Sequence, residues 1–76
     1  MVRANIQDTD GVYIGLIDEV ETGFRIVWNR NLEHYQEYNA MENDRVYKTL
    51  DEACQGTYRV VPNARITETI YFRRKQ

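Results

Sequence analysis

The chain predicts a small α+β domain, an antiparallel sheet of three to five strands with one amphipathic helix packed on one face. Three observations carry that expectation. Apolar residues alternate with period two through residues 1–7, 12–20 and 24–30, as half-buried strands require. Leu50, Ala53, Cys54, Thr57, Tyr58 and Val61 recur at helical spacing, one stripe facing a sheet. A chain of 76 residues with 42% hydrophobic content supports one modest core and one domain over 1–76.

In the first strand Val2, Ala4 and Ile6 share a face against Arg3, Asn5 and Gln7. Asp8-Thr9-Asp10-Gly11 is a turn by composition. The second strand, 12–20, places Val12, Ile14, Leu16 and Val20 inward and Tyr13, Ile17 and Glu19 outward. Asp18 then falls inward, which predicts a bulge or the sheet rim there, and Gly15 marks a further bulge or a close contact. Glu21-Thr22-Gly23 closes a hairpin onto a third strand, 24–30, that buries Phe24, Ile26 and Trp28.

Residues 31–44 fit two descriptions. Leu32, Tyr35 and Tyr38 at i, i+3, i+6 allow a short helix, and the same residues fit a twisted strand. Val46 and Tyr47 allow a short extra strand. The helix that follows is well marked: Thr49 and Glu52 form a capping box, Asp51 and Glu52 suit the helix dipole, and Pro62 stops it. A last strand over 65–72 sets Ile66, Ile70 and Phe72 against Thr67, Thr69 and Tyr71.

Catalytic and metal chemistry find little to use. The chain has one His, one Cys and no Ser, so a serine nucleophile is excluded and a zinc ligand set is lacking. Cys54 lies on the apolar helix stripe, where a buried small hydrophobe is the expected role. Asp8-x-Asp10 with Glu19 at the twelfth position imitates a calcium loop, but Tyr13 stands where that loop needs Gly. None of the four glycines belongs to a phosphate-binding fingerprint. No enzyme activity, cofactor or metal is therefore expected. A lone cysteine suits a reducing cytoplasm (the host's, for a phage protein), and no apolar run is long enough to span a membrane.

The charges are arranged in blocks. Residues 1–44 carry 3 basic and 9 acidic groups, net −6, and residues 45–76 carry 7 and 3, net +4, together the −2 of the chain. Such blocks shape the choice of partner more than the fold. Tyrosine combines a large contact area with a polar tip, and Tyr35 and Tyr38 lie inside an acidic block. The expectation is a non-enzymatic module that docks an acidic, tyrosine-bearing surface on a basic patch of a protein partner. Its residues are Tyr13, Asp18, Glu19, Glu33, Tyr35, Glu37 and Tyr38. An accessory inhibitor of phage or mobile-element type is the specific form.

Two alternatives compete with it. One is nucleic-acid binding by the sheet face and the cluster Arg65, Arg73, Arg74 and Lys75. The other is a structural subunit self-associating through an unpaired strand, 1–7 or 65–72. The run Val46–Ala53, leaving a strand and capping a helix, resembles the junction in the sheet-plus-helix DNA-binding arms of phage integrases and AP2-type domains. It spans eight residues, most of them capping box. Where those families carry basic strand residues, this chain carries Asp18, Glu19 and Glu21.

Overall fold

A computed structural model describes residues 1–69. The order is β1 (Val2–Gln7), β2 (Tyr13–Val20), β3 (Gly23–Trp28), α1 (Tyr35–Glu42), α2 (Leu50–Val60) and β4 (Arg65–Glu68). The strands form one antiparallel sheet in the order β3-β2-β1-β4, with both helices over one face. The α+β class thus holds, with two helices where one was expected. β1 lies between β2 and β4, so residues 1–7 are not an edge. Of the last strand expected over 65–72, β4 covers Arg65–Glu68, Thr69 lies just past it, and residues 70–72 fall outside the described residues.

Two irregularities set the sheet's faces. Ile6 pairs with Gly15 and Gln7 with Tyr13, leaving Ile14 as an extra residue of β2. Val2 pairs with Asp18 and Ala4 with Ile17, leaving Arg3 extra in β1. Each bulge reverses strand parity. Ile14 and Ile17 are therefore both buried, at 4% and 0% exposure, while Leu16 pairs with Val27 on the outer face. This corrects the expected pattern, in which Leu16 pointed inward and Ile17 outward, and it moves Asp18 to the outer face. Val12, also expected inward, is exposed ahead of the strand. Gly15 is a close contact as well as a bulge neighbour. A Cβ there would meet the Val27 carbonyl at 2.8 Å and the Trp28 ring at 3.2 Å.

The core joins Ala4, Ile6, Ile14, Ile17, Ile26 and Trp28 of the sheet to Tyr47, Ala53 and Ala64. Residues 35–42 take the helical alternative because Tyr35, Tyr38 and Glu42 then face inward on successive turns. Asn43 and Asp44 end α1 in the left-handed region, where short polar side chains are tolerated. The extra strand at 46–47 reduces to one bridge, Tyr47 with Phe24, bonded at 2.8 and 2.7 Å. In α2 the Glu52 N–H donates to Thr49 Oγ1 at 3.1 Å, and Glu52 Oε1 accepts from the Lys48 N–H at 3.2 Å. Of its expected stripe, Tyr58 instead stands 38% exposed.

Candidate functional site

The seven residues expected to form one docking surface fall in two places. Tyr13 opens β2, opposite Gln7 on the outer face, and is 42% exposed. Asp18 and Glu19 lie five and six residues further along the strand, roughly 17–20 Å at about 3.3 Å per residue. They point to opposite faces, and each already has a counterion. The amino terminus stands 2.9 Å from Asp18, and Arg3 Nη1 stands 2.7 Å from Glu19. Arg3 also lies over the Phe24 ring at 5.7 Å. The bulge places this cation opposite Glu19, and alternation within a single strand gives no sign of it.

Glu33, Tyr35, Glu37 and Tyr38 do come together, around the start of α1. Tyr35 and Tyr38 are half-buried against the core, with the Tyr38 ring 5.1 Å from Trp28 and 6.1 Å from His34. His34 Nδ1 lies 2.9 Å from Glu37 Oε1. Glu33 is exposed and makes no ion pair among the described residues.

Asp8, unmarked by the sequence reading as a site residue, joins this end of the molecule. A hollow of ≈ 190 Å³ has Ile14, Leu32, Tyr38 and Val61 in its wall, with Asp8, Glu33 and His34 beside them. Asp8 Oδ1 accepts from the Asp10 and Val12 N–H groups, both at 2.9 Å, an Asx-type turn that holds the carboxylate in place. Two neighbouring hollows have mixed charge. One is lined by Arg30 with Glu33 and Glu37, the other by Arg25 and Arg30 with Glu42 and Asp44.

Of the basic alternative, Arg65 sits on the outer face of β4 opposite Gln7. Arg73, Arg74 and Lys75 lie outside the described residues. Burial pushes the Cys54 thiol above its ordinary value, with Glu68 and Asp51 adding to the effect. That disfavours the thiolate a nucleophile needs. Among the described residues no three His, Cys, Asp or Glu side chains gather as a metal site, and no helix is long and apolar enough to cross a membrane. Comparison with family models, with curated proteins and with solved structures finds no match to the chain.

Proposed function

We propose that the chain is a non-enzymatic binding module that docks the acidic end around α1 on a basic surface of a protein partner. The carrying observation is that Glu33, in the turn leading into α1, and Glu37 of α1 stand exposed beside the half-buried rings of Tyr35 and Tyr38. Exposed carboxylates steer encounter, and part-buried rings supply contact area at little entropic cost. Tyr13, Asp18 and Glu19, which lie on β2 away from α1, leave this surface, and Asp8 enters it. An inhibitor occluding a nucleic-acid-binding patch is the specific form, suited to a phage or mobile-element accessory protein in the host cytoplasm.

The test starts from affinity purification with the tagged chain, with and without nuclease, followed by association kinetics with the captured protein. Steering predicts that reversing Glu33 and Glu37 to Lys slows association about tenfold or more at low salt and flattens its salt dependence. An unchanged on-rate at low salt overturns the reading.

A second reading, nucleic-acid binding by the open sheet face, is favoured by a separate observation. Of the twelve carboxylates in the chain, only Asp18 occupies an outward-facing strand position, opposite Arg25, while Arg65 stands at the other end of the same face opposite Gln7.

A further inference from the structure

We propose that the hollow between the β1–β2 turn and the start of α1 is a socket for a single arginine side chain of the partner. The proposal rests on the docking reading above and names the chemistry its centre recognises. Three features of the hollow lead to arginine.

Size comes first. At ≈ 190 Å³ it is smaller than the roughly 300–1,000 Å³ of small-molecule pockets, and it suits one side chain. Charge comes second. Asp8 and Glu33 line the hollow and no Lys or Arg does, whereas both neighbouring hollows contain arginine beside their carboxylates. His34 also lines this hollow, but its Nδ1 is engaged by Glu37 at 2.9 Å, and Glu33 borders the neighbouring Arg30 hollow as well, so Asp8 is the carboxylate here that shares no hollow with an arginine. The third feature is the wall. Ile14, Leu32, Tyr38 and Val61 can cover an aliphatic stem while a charged head stays at the mouth.

Guanidinium fits better than ammonium, because it pairs with carboxylates through two N–H groups and stacks on aromatic faces. The Tyr38 ring is held in place by Trp28 at 5.1 Å. Asp8 is held as well. Its Oδ1 is fixed by two backbone donors, and its Oδ2 bonds nothing among the described residues. A carboxylate already immobilised loses little freedom on binding.

The experiment is a ¹H–¹⁵N NMR titration of the full chain with three probes: acetyl-Gly-Arg-Gly-amide, its citrulline analogue and decalysine. Citrulline keeps the shape of arginine and removes its charge. The expected result is saturable shifts at Asp8, Leu32, Glu33, Tyr38 and Val61 with the arginine peptide and none with citrulline. Glu33→Gln, at an exposed side chain with no hydrogen bond or ion pair among the described residues, should weaken the arginine peptide about tenfold while leaving the rest of the spectrum in place. Equal shifts from arginine and citrulline, or an unchanged affinity in Glu33→Gln, overturn the socket. If decalysine then still shifts residues around Glu33 and Glu37, the broader acidic docking stands without the socket. If decalysine moves nothing at low salt, both fall together.

Discussion

Tyr47 ties three elements of this fold together. Its backbone pairs with Phe24 of β3, its ring lies against Gly56 of α2, and its hydroxyl donates to Glu42 of α1 at 2.9 and 3.2 Å. Arg59 Nη2 donates to the same hydroxyl at 3.2 Å. A Cβ at Gly56 would collide with the Tyr47 hydroxyl, so the glycine that weakens α2 by about 1 kcal/mol relative to Ala is required by packing. Glu42 is only 4% exposed, and its carboxylate accepts from no other group among the described residues. Tyr47→Phe leaves that buried acceptor unmet and should cost about 1–3 kcal/mol.

The hydroxyl also gives the loss a pH signature. Burial, then the Glu42 hydrogen bond and charge, raise Tyr47 above its ordinary 10.0, against the smaller pull of Arg59 and Arg45. With the folded value above the unfolded one, the contribution is complete below pH 10 and is lost as the pH climbs through the folded value. Thermal midpoints from about pH 8 to 11 should therefore show wild type and Tyr47→Phe converging above pH 10. A gap of constant size across that range would remove the linkage.

Among the elements, β2 and α2 show what a single strand or helix reveals about itself. The Thr49–Glu52 cap is local, so the start of α2 is legible in its own residues. The faces of β2 are not, because a bulge is defined by the partner strand: Ile14 is an extra residue only in relation to Ile6 and Gln7 of β1. α1 is obscured for a different reason. Its inward stripe consists of two tyrosines and a glutamate, Tyr35, Tyr38 and Glu42, so hydrophobic periodicity barely marks it. Its boundary comes from the left-handed Asn43 and Asp44 instead.

The reversed parity of β2 makes a sharp prediction. Ile17→Ala, at a fully buried position, should cost about 2–5 kcal/mol. Leu16→Ala, on the outer face, should cost about 1 kcal/mol or less. Urea midpoints compared at a common slope decide it. A larger loss at Leu16 than at Ile17 would restore the unbulged register and return Asp18 to the interior side.

For the molecule as a whole, parity also decides which charges share a surface, and this is why the site was only half legible. Glu33, Tyr35, Glu37 and Tyr38 lie within six residues of one another and stay together. Asp18 and Glu19 are neighbours in sequence and point to opposite faces, each with a counterion brought from β1 or the amino terminus. The result is a layered distribution. The helix layer and the turns hold most of the carboxylates, and the outer sheet face presents Asn5, Gln7, Tyr13, Thr67, Arg25 and Arg65 around Leu16 and Val27. Hydrogen-bonding side chains, one exposed ring and two arginines are the ingredients of a single-strand platform. The opposing argument is quantitative. Two arginines give a salt slope of only about −1.4 for single strands, and Arg25 already pairs with Asp44 at 3.5 Å.

Fluorescence anisotropy with a labelled oligothymidine of about 12 nucleotides separates the two functional readings. Docking on a basic protein predicts no binding at about 50 mM salt, since the acidic helix layer repels phosphate. The sheet reading predicts binding that weakens with salt and loses about 0.7 of slope in Arg65→Ala. Binding that survives Arg65→Ala and Arg25→Ala, but disappears when Arg73, Arg74 and Lys75 are replaced by Ala, would place the contact on the terminal cluster and leave the sheet face without a role in it.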